Sequence, residues 1–202
     1  MNTLSSMEMP EHEERYTLRN ARHLAADYIR RTVRPGDTVV DATMGNGGDT
    51  LFLAQLVGPQ GCVYGFDVQE EAVANTRRKL IEAGQNDQAV LLLCGHERMR
   101  EHVTQPPQAV MFNLGWLPGA AHAVTTRVET TLEAVASAAE MIVPGGIVSV
   151  CIYPGHEEGT RELHALLEYA AGLDVRKYNV LHNHFLCAPA HTPQLILIQR
   201  NK

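Results

Sequence analysis

Short apolar, β-branched runs alternate along the chain with longer stretches in which apolar residues recur every three or four positions. Ala21, Leu24, Ala25 and Tyr28 follow the i, i+3, i+4, i+7 spacing and predict a helix over 18–33, ended by Pro35-Gly36. A buried strand is predicted over 38–43, a glycine turn over 45–48 and a helix over 49–57. A second strand follows at 62–66, then a helix over 69–83 with Ala72, Val73, Thr76 and Leu80 inward. Strands at 89–93 and 109–113 enclose a short helix over 97–103. A long helix over 126–142 turns Leu132, Val135, Ala136 and Ala139 to one side, and Pro144-Gly145-Gly146 leads into a strand over 147–153. A helix over 157–171 buries Leu163, Leu166, Leu167 and Ala170, and two late strands are predicted at 175–181 and 195–199.

Strands alternating with helices mean βαβ units and a mostly parallel sheet. The connection 182–194 is too short and proline-rich for a crossover helix, so the last two strands should pair antiparallel. The expected fold is α/β, Rossmann-like: seven strands, mostly parallel, with an antiparallel C-terminal hairpin and helices on both faces. This is the layout of class I methyltransferases. The chain has 202 residues, room for one domain at 16–202 behind a disordered N-terminal extension at 1–15.

Composition narrows the partners. With 45% hydrophobic and 20% charged residues, the chain reads as an ordinary globular protein. No apolar run approaches about 18 residues, and the polar N-terminus lacks a signal-peptide core. Cys62, Cys94, Cys151 and Cys187 form no C-x-x-C pair, so neither zinc nor a dithiol is indicated; three of them read as core residues. A reduced, cytoplasmic setting fits. The net charge of -6 disfavours broad nucleic-acid binding, although it leaves room for local basic patches. Arg15, Arg19, Arg22 and Arg30 would share one helix side, and Arg77, Arg78 and Lys79 form a second cluster; each reads also as a solvated face.

The first strand ends in Asp41-Ala42-Thr43-Met44-Gly45-Asn46-Gly47-Gly48, a D-x-x-x-G-x-G loop. A nicotinamide fingerprint would need a third glycine and would place a helix N-terminus against a pyrophosphate. Here Asp49 occupies the helix start, where it repels a pyrophosphate but suits the ammonium and sulfonium of S-adenosylmethionine. Asp67 closes the second strand, 20 residues beyond Gly47, where a carboxylate accepts ribose hydroxyls. Gln69 could meet the ribose or adenine. His96, after the third strand, either lies against the adenine or is a loop histidine.

The fourth strand ends in Asn113-Leu114-Gly115-Trp116-Leu117-Pro118-Gly119. Methyltransferases of exocyclic amines often carry Asn/Asp-Pro-Pro-aromatic at this place. There the side-chain oxygen accepts amine hydrogens and the aromatic stacks on the base. Asn113 and Trp116 keep that spacing, with Leu114-Gly115 in place of the prolines. An alkyl amine must shed a proton before attack, and Tyr153 and His156, after the fifth strand, are the candidate acceptors.

These segments together resemble the bacterial tRNA 5-(aminomethyl)-2-thiouridine methyltransferase family, long described as rRNA methylases. The matching words are the glycine loop with Asp49-Thr50, Val63-Tyr64-Gly65-Phe66-Asp67-Val68-Gln69, Met111 to Gly119, and Tyr153-Pro154-Gly155-His156. The resemblance implies S-adenosylmethionine as cofactor and methylation of an aminomethyl group on the wobble uridine of tRNA, read in its anticodon stem-loop. It implies a homodimer without a metal or a membrane anchor. By motif, Asn46, Asp49, Thr50, Asp67, Gln69 and His96 would hold the cofactor, with Asp41, Gly47 and Gly48 in the same loop; Asn113, Trp116 and Tyr153 would face the amine and base. The chain departs from the family at Gly48, usually larger, at Gly119-Ala120-Ala121-His122 in place of Gly-Gly-Asp-Lys, and at Pro193-Gln194 in place of Pro-Pro. The rival readings are a methyltransferase of another RNA or a small amine, a nicotinamide oxidoreductase, and a non-catalytic RNA-binding module.

Overall fold

Seven strands form one sheet in the order β3-β2-β1-β4-β5-β7-β6 in the computed structural model, which describes residues 18–115 and 125–202. The strands are β1 (Thr38–Asp41), β2 (Cys62–Asp67), β3 (Ala89–Leu93), β4 (Ala109–Asn113), β5 (Ile147–Ile152), β6 (Tyr178–Asn183) and β7 (Gln194–Arg200). The first five are parallel, and β7 runs antiparallel to both β5 and β6. The helices are α1 (Ala21–Thr32), α2 (Gly48–Val57), α3 (Glu70–Glu82), α4 (Met99–His102), α5 (Val128–Met141) and α6 (Glu157–Ala171). The expected extension at 1–15 lies outside the described residues, as does Trp116.

Alternation within the central strands divides the core in two. Val39, Ala109, Met111, Cys151, Leu195 and Leu197 pack with α1, α2 and α3 on one face. Val40, Val110, Phe112, Val150, Ile196 and Ile198 pack with α5 and α6 on the other. A strand buried on both faces has no polar side, which is why these segments read as continuous apolar runs. The order reverses between β1 and β4, and the crevice beyond their carboxyl ends is where such sheets bind ligands.

Local chemistry moves several predicted boundaries. Asn20 caps α1, its Oδ1 accepting from the His23 N–H at 3.0 Å, so the helix begins at Ala21. Its buried stripe is Ala21, Ala25 and Ile29, with Leu24 and Tyr28 only half-buried at its margin. The segment before β6 is a turn: Asp174 Oδ1 accepts from Arg176 N at 3.0 Å, and the Asp174 carbonyl accepts from Tyr178 N at 3.0 Å. That turn leaves Val175 exposed and delays the strand to Tyr178. Of the cysteines, Cys151 alone is fully buried among the four, and all are free thiols. No described helix is long and apolar enough to cross a membrane.

Candidate functional site

A cavity of about 820 Å³ opens beyond the carboxyl ends of β1, β2, β4 and β5. It brings together Asn46, Gly48, Asp49, Asp67, Gln69, His96, Asn113, Tyr153 and His156, residues that the sequence reading selected from five separate segments. Three others, Asp41, Gly47 and Thr50, do not line it, and Trp116 lies outside the described residues. A shallower depression on the outer side of α3 gathers none of these groups.

Asp41, Gly47 and Thr50, expected among the cofactor residues, form a floor behind the cavity lining. Asp41 is 1% exposed and accepts from Thr50 Oγ1 at 2.6 Å and from Thr43 N at 3.2 Å. A carboxylate so engaged ties the end of β1 to the first turn of α2. Burial first, then the nearby Asp49, push its pKa up to about 7. Gly47 caps α2 with φ +73° and without a side-chain bond, and Thr76 of α3 lies directly against it.

Above that floor, Asp67 is held by two backbone donors. Gly45 N donates to its Oδ2 at 3.0 Å and Gln69 N to its Oδ1 at 3.0 Å. Each carboxylate oxygen has a second acceptor site, so the pair can also take two vicinal hydroxyls. Gln69 opens α3 without a side-chain capping bond, and it lines the cavity. Asn75 Nδ2 donates to Asn46 Oδ1 at 3.1 Å, fixing the tip of the loop.

His96 is a built part of the wall. It is 8% exposed, meets the edge of Phe112 at 5.6 Å between centroids, and shares 3.1 Å with the Ala42 carbonyl through Nδ1. A carbonyl only accepts, so Nδ1 carries the proton and Nε2 is the acceptor. Burial holds the imidazole below its usual range, against the Ala42 carbonyl, which pulls it up. The unfolded chain therefore binds this proton more readily, and the His96 contribution is lost as pH falls below about 6.5. Asp41 acts in the opposite sense. Its raised pKa makes its contribution fall as pH climbs from about 4 to about 7. Thermal melts across this range should show the acid-side loss flattened in His96→Gln and the loss on rising pH flattened in Asp41→Asn. Unchanged pH profiles in both variants would refute these assignments.

At the far end stands Asn113, at the end of β4. Its backbone N–H donates to Thr43 Oγ1 at 2.7 Å, and its side-chain Nδ2 donates to Asp49 Oδ2. Its Oδ1 is buried and has no hydrogen-bond partner among the described residues. Asp49 in turn accepts on Oδ1 from Arg22 Nη2 at 2.7 Å and Arg22 Nε at 3.2 Å. Asp49 is thus already paired with a guanidinium, in addition to bordering the cofactor cavity.

The two candidate proton acceptors, Tyr153 and His156, both line the cavity but are held differently. Burial pushes the Tyr153 hydroxyl up, with a smaller push from Cys151 and an opposing pull from Arg22. It stays a phenol able to hydrogen-bond. His156 caps α6, its Nδ1 accepting from Gly159 N at 3.1 Å. A neutral imidazole has one lone pair in the ring plane to give, and here it goes to the helix. In this geometry His156 serves as the cap of α6 while also lining the cavity.

Three residues were missed by sequence reasoning. Arg22 reads there as a member of a solvated cluster. Thr126 and Glu162 carry no local signal at all. Glu162 is 1% exposed and accepts from Thr126 Oγ1 at 3.0 Å and Thr131 Oγ1 at 2.7 Å. Thr126 Oγ1 in turn accepts from Gly115 N at 3.0 Å, and Thr126 N donates to the Gly115 carbonyl at 3.1 Å. This clasp joins the two ends of the segment that follows Asn113.

The cradle suits S-adenosylmethionine: a staked carboxylate for a ribose, a buried imidazole wall, and a glycine loop. Comparison with known proteins agrees. A structure from Clostridium thermocellum, described as a "putative rRNA-methylase", superposes with a TM-score of 0.90 at 44% identity, covering 92% of this chain and 100% of that one. A "putative methyltransferase" of Streptococcus mutans, solved with SAH, gives 0.83 at 33% identity over 91% of this chain and 99% of that one. The chloroplastic tRNA (mnm(5)s(2)U34)-methyltransferase of Arabidopsis thaliana is 33% identical over 191 residues, 82% of this chain and 69% of that protein. The family described as "Putative rRNA methylase" matches residues 63–199. The chain belongs to this family of methyltransferases and carries its Rossmann-like fold.

Proposed function

We propose that this protein uses S-adenosylmethionine to methylate the aminomethyl nitrogen of 5-aminomethyl-(2-thio)uridine at the wobble position of tRNA. The observation that carries this reading is Asn113: its amide nitrogen is engaged by Asp49, while its buried oxygen has no donor among the described residues. A primary amine supplies that donor. The likeness to the Arabidopsis enzyme supports the choice of amine. Lys79 and Arg127 in the cavity lining provide local positive charge for a phosphate chain, against the net charge of -6.

The cofactor, when bound, supplies an electrophilic methyl group on a sulfonium. Asp67, Gln69, Gly45 and His96 would hold it. Asn113 Oδ1 accepts an N–H of the substrate and so sets the direction of the nitrogen lone pair. Alignment is the main contribution to a displacement of this kind. Burial disfavours the charged form of the amine, which enters having released its proton to solvent. Tyr153 offers a hydroxyl to the incoming group. The assembly is a homodimer in this reading, checked by light scattering.

The test is nucleoside mass spectrometry of tRNA from a strain lacking the protein. Loss of 5-methylaminomethyl-2-thiouridine with build-up of the aminomethyl nucleoside is expected. An unchanged tRNA profile would overturn the assignment, and a change confined to rRNA would move it to another RNA.

A further inference from the structure

We infer that Arg22 and Asp49 are positioning residues that decide which end of the Asn113 amide faces the transfer site. The inference rests on the reading that Asn113 accepts amine hydrogens. A side-chain amide has nearly the same shape in its two flipped orientations, but one presents an acceptor and the other two donors. An NH2 group turned toward an amine would meet its hydrogens and compete for its lone pair. Something must therefore hold the oxygen forward.

Asp49 does this by chemistry. A carboxylate only accepts, so the Asn113 atom against it is Nδ2, and Oδ1 is turned away from it. Arg22 completes the arrangement. Its two donors converge on Asp49 Oδ1, at 2.7 and 3.2 Å, which leaves Oδ2 for Asn113. The backbone of Asn113 is already fixed by Thr43, so rotation of the terminal amide is the freedom that remains. Gly48 leaves the space for Arg22: a Cβ there would lie 2.9 Å from Arg22 Nη2. Asp49 has a donor on each oxygen, and its side chain is 14% exposed. Turnover, rather than cofactor affinity, should thus depend on it.

The experiment uses the full chain, tRNA isolated from a strain lacking the protein, and S-adenosylmethionine. It reads kcat, KM for tRNA, and cofactor Kd by calorimetry. Asp49→Asn should lower kcat about 100-fold, because an amide partner accepts either orientation of Asn113, while cofactor Kd stays within about threefold. Arg22→Gln should lower kcat by about tenfold. Asn113→Asp places two carboxylates together and should lose activity. The exchange Asp49→Asn with Asn113→Asp should recover at least about tenfold over the poorer single variant, since Asn at 49 then donates to Asp at 113 and leaves its second oxygen forward. Unaltered kcat with cofactor affinity reduced tenfold or more in Asp49→Asn would make Asp49 a cofactor ligand and overturn the relay, as would an exchange without recovery. NMR gives a readout independent of the substrate. The Asn113 side-chain NH2 protons should exchange slowly with solvent in the wild type and faster in Asp49→Ala; equal exchange rates in both would also overturn it. If the wild type methylates none of this tRNA, the proposed function fails while the NMR result still decides the relay.

Discussion

Asn113→Ala should leave S-adenosylmethionine affinity within about threefold of the wild type and lower turnover by about 10²- to 10³-fold, the usual effect of losing one preorganised polar group at a reacting centre. The residue stands at the end of β4, where its backbone is tied to Thr43 and its nitrogen to Asp49. Alanine keeps the first tie and loses the second. The proposed cofactor cradle of Asp67, Gln69 and His96 is built from β2, the opening of α3 and the loop after β3, and none of those contacts passes through Asn113. Binding and turnover should therefore separate. A loss in kcat matched by the same loss in kcat/KM marks an interaction made in the transition state. Asp49 keeps Arg22 in the variant, so the melting point should shift only by the equivalent of about 1 kcal/mol. Wild-type turnover in Asn113→Ala would remove this residue from the transfer site.

The second large effect is on folding. Gly47→Ala should destabilise the protein by about 2–5 kcal/mol and abolish measurable cofactor binding. Gly47 has φ +73°, where an L side chain is strained. A Cβ there would also lie 2.7 Å from Thr76 Cα and 2.8 Å from Thr76 Oγ1. A backbone atom cannot rotate aside, so α3 would have to retreat from the loop. Thr76 Oγ1 also donates to the Gly45 carbonyl at 3.2 Å, and Gly45 N donates to Asp67, so the displacement reaches the carboxylate proposed to hold the ribose. For a chain of this size, about 2–4 °C of melting temperature is expected per kcal/mol. Gly48→Ala is the control, because its Cβ would meet only the tip of Arg22. It should cost less than about 1 kcal/mol. Equal melting of Gly47→Ala and the wild type would show that the close approach to Thr76 does not matter.

Most of the fold is legible in the chain because the central strands bury both faces. Val39 and Val40, or Met111 and Phe112, face opposite cores, so their segments are apolar throughout and hard to mistake. The errors fall where a polar side chain overrides the pattern. Asn20 and Asp174 capture backbone donors and shift the start of α1 and β6, although periodicity continues across both positions. The site divides in the same way. Asp67 and Asn113 are legible because each closes a strand whose carboxyl end faces the ligand crevice. Asp41 looks identical in sequence, and only its 1% exposure shows it to be part of the floor.

What the sequence determined by itself is the order of strands and helices, the turn at Gly45 to Gly48, and the identity of the polar groups at the strand ends. These are properties of neighbouring residues and their periods. What only the tertiary structure decided is how those groups are paired. Arg22 meets Asp49 across 27 positions, Asn113 meets Asp49 across 64, and Glu162 meets Thr126 across 36. Such pairings have no local period, because a hydrogen bond depends on where two segments end up in space and on which of them still has a donor or a lone pair to give.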